Sequence, residues 1–227
     1  MNLAEIEHAL RAAGLSPRGV FHPAAGDGVP PLAPDTPARS LVLAGNAGPQ
    51  MWRAYAAARG GSDMTLDQWS ERVLTALAAR LGARAVFAFE RPYLPLQRWA
   101  QRAEPCHPSP LGLLIHPDYG LWHGYRGALL FAGTIALPPP ERRASPCAGC
   151  ADRPCLRACP ADAFAGGAYD VPACVRHLAA APDGACMQRG CLARHACPVG
   201  RDYRYVPAQA RFHMQAFLNN HRSGTPD

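Results

Sequence analysis

The sequence predicts an α/β domain followed by a small cysteine-rich one. Three observations carry this. Through the first 140 residues, short apolar runs bounded by Gly or Pro alternate with stripes of helical period. Eight of the nine cysteines fall between 147 and 197. Between the two regions lies "LPPPERRAS", residues 137–145, whose three consecutive prolines continue neither a helix nor a central strand. The first domain is therefore expected at residues 1–140 and the second at 141–227.

The elements follow in order. "MNLAEIEHALRAAGL" reads as an amphipathic helix with Leu3, Ile6 and Leu10 on one face. "RSLVLAG" (Arg39–Gly45) is an apolar run of strand length. "PQMWRAYAAARG" follows as a helix, with Pro49 suited to its first turn and Gly60 to its end. Thr65 and Gln68 have capping-box spacing, and Leu66, Trp69, Val73, Leu77 and Leu81 form one stripe up to Gly82. "RAVFAF" (Arg84–Phe89) is a strand and "LPLQRWAQRA" a helix; "LGLLIH" and "YRGALLFAG" are two further strands. Helices packed on a sheet are the expected result. The tail "PAQARFHMQAFLNNH" (Pro207–His221) reads as a last helix whose Phe212, Met214 and Phe217 dock on the body.

Apolar residues make up 48% and charged residues 18%, with a net charge of +6, and all 23 basic residues are Arg. The arginines are scattered rather than clustered, so no nucleic-acid surface is expected. No window of about twenty residues is apolar enough to span a bilayer, and no basic leader precedes an apolar stretch. The expected location is the cytoplasm, where thiols stay reduced and clustered cysteines favour metal over disulfides.

The cysteines form two sets. One is Cys147-x2-Cys150-x4-Cys155-x3-Cys159-Pro160; the other is Cys174 with Cys186-x4-Cys191-x5-Cys197-Pro198. Eight thiols would also serve two zinc ions, but zinc sites favour isolated Cys-x2-Cys pairs a dozen or more residues apart. The compressed first run and the repeated Cys-Pro ending point to two 4Fe–4S clusters, in which the Cys before Pro binds the other cluster. Between 145 and 201 no long apolar run occurs, so coordination is expected to supply part of the folding free energy. Arg153, Arg157, Arg176, Arg189 and Arg194 lie among these thiols, where they could dock an acidic electron-donor protein. Cys106, outside the sets, reads as a small buried hydrophobe.

The arrangement "CAGCADRPCLRACPADAF…DVPACVRHL…CMQRGCLARHACP" resembles the ferredoxin-like domain of epoxyqueuosine reductase, a cobalamin-dependent iron–sulfur enzyme. The resemblance implies Cys147, Cys150, Cys155 and Cys197 on one cluster and Cys159, Cys174, Cys186 and Cys191 on the other. The stretch "PLGLLIHPDYGLWHGYRGALLFAGTIALPPPERR" (Pro110–Arg143) is similar to cobalamin-processing proteins of the CblC type. Together the two imply a nitroreductase-like α/β sandwich that binds a corrinoid, followed by the ferredoxin-like dicluster domain. On that basis His116, Trp122, His123, Tyr125 and Arg126 are candidate cofactor-binding residues, with Arg126 holding an anionic group and Trp122 and Tyr125 flanking the ring. Folds of this kind often form homodimers.

Two departures shape the expected function. Epoxyqueuosine reductases carry a catalytic Asp in the segment that is "FERPYLPLQRWAQRA" here, which contains none, and "PSPLGLLIHP" stands where their Gly-Lys-Asn-Thr signature falls. The expectation is therefore an oxidoreductase that passes electrons from two clusters to cobalamin, with a small-molecule corrinoid as partner and tRNA unlikely. The alternative is a ferredoxin-type carrier docking a protein. A tRNA-modifying reductase ranks last.

Overall fold

The computed structural model describes residues 2–139 and 141–222. Pro140, the third proline of the expected boundary, lies outside them. The elements run α1 (Leu3–Ala12), β1 (Ser16–Phe21), β2 (Ser40–Ala47), α2 (Gln50–Arg59), α3 (Leu66–Leu81), β3 (Arg84–Phe87), α4 (Leu96–Ala103), β4 (His107–Pro108), β5 (Leu114–Ile115), β6 (His123–Phe131), α5 (Pro154–Arg157), α6 (Val171–Ala180), α7 (Ala185–Arg189), α8 (Leu192–Ala196) and α9 (Pro207–Arg222). None of these helices is long and apolar enough to cross a membrane.

The chain divides into two compact units. One comprises Met1–Pro105 with His123–Arg143; the other comprises Cys106–Trp122 with Ala144–Asp227. The linear division expected at 140/141 thus needs one change: the segment 106–122 groups with the cysteine-rich part. The cause is local. "LGLLIH" makes only the two-residue β5, paired with β4, because Gly112 turns the chain at φ 72° and prolines flank the run. Leu111, Ile115 and Leu121 then pack into a core with Ala163, Phe164 and Ala193, against which six of the cysteines lie.

The first unit is built on an antiparallel sheet in the order β1-β2-β6-β3. Its two central strands, β2 and β6, carry the longest apolar runs and are the most buried. The capping box of α3 forms as its spacing requires, with Gln68 N–H on Thr65 Oγ1 at 3.1 Å and Thr65 N–H on Gln68 Oε1 at 2.8 Å, together about 1 kcal/mol. α3 packs against α1 and α2 and against strands β3 and β6. A bulge at Arg126 breaks the alternation of β6, and Arg126 reaches Ser70 on α3 while Tyr125 reaches Glu104, just past the end of α4.

β1, at the sheet edge, has no apolar alternation to announce it. Its sequence is "SPRGVF", and a bulge between Pro17 and Val20 leaves Arg18 fully buried.

Candidate functional site

In the second unit the eight cysteines gather into two groups of four. Cys147, Cys150, Cys155 and Cys197 line one recess, walled by Pro146, Ile115 and Val199. Cys159, Cys174, Cys186 and Cys191 line another, walled by Phe164, Tyr169 and Met214. None of the nine cysteines is in a disulfide, and Cys106 is buried.

Short helices and tight turns aim the sulfurs inward. Arg153 takes a left-handed φ of 39° just before α5, so that Cys155 is swung into the first recess. Asp170 caps α6, its carboxylate accepting from Ala173 N–H at 2.8 Å, and so fixes Cys174 one turn in. Cys191 is the N-cap of α8, and Cys186 lies in the first turn of α7. The backbone N–H groups of Arg194 and Ala193 beside Cys191, and that of Leu192 beside Cys186, work against the upward push of burial on these thiols.

Cys197 is placed by a close crossing of backbones. A Cβ on Gly120 would sit 2.1 Å from the Val199 carbonyl oxygen, and one on Gly200 2.2 Å from the Tyr119 carbonyl carbon. Both glycines also hold positive φ, at 57° and 70°. Only glycine at both positions lets the turn after Cys197 rest on the 116–120 turn.

Electrostatic coupling follows the same partition. Burial pushes the thiols of Cys147, Cys155, Cys174 and Cys186 up, and Cys191 up to about 11. The secondary cause is repulsion within each set: Cys197, Cys155 and Cys150 act on Cys147, and Cys159 and Cys186 act on Cys174. Tyr169, which lines the same recess, partly offsets the burial of Cys174.

Among the described residues, no group of three or more His, Cys, Asp or Glu is placed to hold a single metal ion. Four thiolates on one zinc stand about 3.8 Å apart at Zn–S of about 2.3 Å.

The five expected corrinoid contacts are divided between the two units. Within the second unit, His116 is buried, its Nδ1 accepts Asp118 N–H at 3.0 Å, and its ring stacks on Tyr119 at 4.2 Å. Trp122 is buried against Tyr205 and His195 with the Arg194 guanidinium 4.4 Å over its ring, so it packs the core rather than facing a ligand. Arg126, within the first unit, is engaged by Ser70 and Asp67 and does not present an anion site. Within the first unit, His123 and Tyr125 lie together, away from Arg126.

That location holds a network the sequence did not announce. Arg18 forks onto Glu104, Nε to Oε1 at 2.9 Å and Nη2 to Oε2 at 2.7 Å. Its Nη1 donates to the Asn46 carbonyl at 2.7 Å, and Nη2 lies 3.2 Å from His123 Nδ1. Tyr125 donates its hydroxyl to Glu104 Oε2 at 2.9 Å, with Arg18 4.9 Å from its ring centroid. The Tyr125 ring also forms one wall of an open cleft of about 530 Å³, lined further by Tyr93, Leu94, Gln97 and Arg98. Arg18 and Glu104 lie 86 residues apart, and no local pattern links them.

No family model matches the chain, and no curated protein does. Solved structures do. The epoxyqueuosine reductase of Streptococcus thermophilus is 16% identical, with a TM-score of 0.52 over 92% of this chain and 70% of that one. An epoxyqueuosine reductase crystallised with a tRNA-Tyr epoxyqueuosine-modified stem loop is 16% identical, with a TM-score of 0.52 over 89% and 66%. The Bacillus subtilis enzyme, with its catalytic loop swung out of the active site, is 16% identical, with a TM-score of 0.51 over 88% and 66%. The chain spans about two thirds of their length. Two expectations are corrected: with these neighbours, and with Trp122, His116 and Arg126 engaged elsewhere, electron delivery to a corrinoid is not supported, and the stem-loop complex counts against setting tRNA aside. What the likeness shows is the fold: a mixed α/β chain with an antiparallel sheet, similar to epoxyqueuosine reductases.

Proposed function

We propose that the chain is an iron–sulfur oxidoreductase of the epoxyqueuosine-reductase kind, acting on a nucleoside carried by a tRNA stem loop. The observation that carries this is the gathering of eight thiols into two fours on a fold that matches those enzymes over nearly the whole chain. Cys147, Cys150, Cys155 and Cys197 would hold one 4Fe–4S cluster and Cys159, Cys174, Cys186 and Cys191 the other, in a ferredoxin-like module. The clusters would supply electrons one at a time.

The chain's own residues do the remaining work. The open cleft of the first unit offers two tyrosine rings, on which a base can stack, and Arg98 for a phosphate. Excess arginine charge favours a polyanion. Because "FERPYLPLQRWAQRA" has no Asp, a proton needed at the cleft has its nearest lining donors in the Tyr93 and Tyr125 hydroxyls, the latter backed by Glu104 and Arg18.

The test joins two measurements on the anaerobically purified full chain. Iron and acid-labile sulfide are each expected at about eight per chain, as two cubanes require. Fluorescence anisotropy should show a modified anticodon stem loop binding more tightly than a scrambled hairpin, with affinity falling as salt rises. Zinc in place of iron ends the cluster assignment. Equal affinity for both hairpins ends the tRNA assignment.

A further inference from the structure

The rim of the open cleft carries a guanidinium over an exposed ring. Tyr93 lines the cleft and is still 53% exposed. Arg91, itself exposed, lies over the Tyr93 ring, 4.6 Å from its centroid. Among the described residues Arg91 makes no ion pair. The loop that bears the two is held at both ends. At its start Glu90 accepts from Phe87 N–H at 3.3 Å. At its end the buried Trp99, in the first turn of α4, donates its indole N–H to the Asp27 carbonyl at 2.7 Å. Pro92 and Pro95 fix φ at two positions around Tyr93. The rim is thus in place before a ligand arrives, and little ordering cost opposes binding.

Its chemistry fits an unpaired nucleotide. An aromatic ring takes a base by stacking, and a guanidinium takes a base plane or a phosphate. The exposed Gln97 and Arg98 line the same cleft and add a hydrogen-bonding amide and a second cation. A paired stem hides its base faces, so the fit is to a loop. An acidic peptide would answer the arginines but leave the ring without a partner.

We propose that Arg91 and Tyr93 form a stacking clamp for one unpaired loop nucleotide flanking the nucleoside that enters the cleft. The proposal rests on the tRNA reading above. No bond is made or broken at the clamp: Tyr93 supplies the plane and Arg91 the charge.

The full chain and its variants are titrated into the modified stem loop and followed by fluorescence anisotropy. In parallel they are titrated into the same stem loop carrying 2-aminopurine, whose emission falls on stacking, at the unpaired position on either side of the modified nucleoside in turn. Tyr93→Ala should weaken binding at least about fivefold, the low end for one base–aromatic stack, and should remove the emission change at one of the two positions. Tyr93→Phe keeps the ring and should bind more tightly than Tyr93→Ala. Arg91→Ala should reduce the slope of log affinity against log salt by about 0.7, one single-strand phosphate contact, and Arg91→Lys should restore it. Tyr93→Ala binding as tightly as wild type overturns the proposal, as does an emission change that survives at both positions. Tyr93→Phe binding as weakly as Tyr93→Ala also overturns it, by denying the ring its role. An unchanged salt slope in Arg91→Ala overturns the charge assigned to Arg91. A wild-type chain that binds a scrambled hairpin equally well is a different outcome: it removes the tRNA reading itself, and the clamp with it.

Discussion

Replacing Glu104 with Gln would test whether the first unit is organised around a buried charge. The change is isosteric and removes only the carboxylate's charge. Arg18 is 0% exposed and the Glu104 side chain 10%, so the guanidinium would be left inside the protein without its counter-charge. Its bond to the Asn46 carbonyl would remain, and Gln could still accept from Tyr125. Breaking one partner of such a pair costs about 3–5 kcal/mol, against a total stability of about 5–15 kcal/mol. With a urea slope near 2 kcal/mol/M, the midpoint should fall by roughly 1.5–2.5 M. The assay is equilibrium urea unfolding of the full chain by tryptophan fluorescence, since Trp69 and Trp99 are buried in this unit. The double variant Arg18→Met/Glu104→Met should recover much of the loss, because neither charge is then stranded. A cost for Glu104→Gln below about 1 kcal/mol, or a double variant as unstable as the single one, would refute the reasoning.

Cys174→Ser should lower the iron content from about eight to about four per chain, and iron analysis that stays at eight would remove Cys174 from the ligand set. Gly120→Ala would force a Cβ to within 2.1 Å of the Val199 oxygen at positive φ; a loss of at least about 1–3 kcal/mol is expected, read as a drop in melting temperature, and an unchanged melt would show that the crossing is not tight. Burial raises the Asp27 carboxyl, but the Ala24 N–H, at 2.6 Å, and the Arg102 guanidinium outweigh it and hold the group below its ordinary value. Its stability contribution is therefore present above the unfolded pKa of about 3.9 and lost as pH falls through the lower folded value. Asp27→Asn should accordingly lower the urea midpoint near neutral pH and match wild type in strong acid; a constant difference across pH would contradict this. Arg126→Ala should reduce stability through lost contacts with Ser70 and Asp67 while leaving stem-loop affinity unchanged; a selective loss of affinity would restore it as a ligand contact.

Much of the first unit was legible because its helices and central strands carry their signals locally. The Thr65–Gln68 box, the Leu66–Leu81 stripe and the apolar run of β2 each declare themselves within a few residues. β1 did not, because its bulge and its inward Arg18 break any strand period. The grouping of the thiols was legible in outline, since Cys-Pro endings mark where a chain passes between sites. The cofactor wall was misread for a physical reason. His123, Tyr125 and Arg126 are neighbours in sequence, but the bulge in β6 sends Arg126 to Ser70 while Tyr125 meets Glu104, and Trp122 is drawn into a core of its own. Glu104 stayed hidden because it acquires its meaning only from Arg18 and Tyr125, partners brought up by the fold.

The excursion of residues 106–122 into the second unit has a practical meaning for anyone wishing to dissect the protein. The chain changes units at 105/106, 122/123 and 143/144. A cut near residue 140 would give a front piece burdened with seventeen residues whose apolar side chains belong elsewhere. The rear piece would lack Ile115, which walls the first recess, and Gly120, on which the turn after Cys197 rests. No single break in the polypeptide yields two intact halves. A rear unit that could stand alone would have to be rewired, with 106–122 grafted ahead of residue 144 through a short linker.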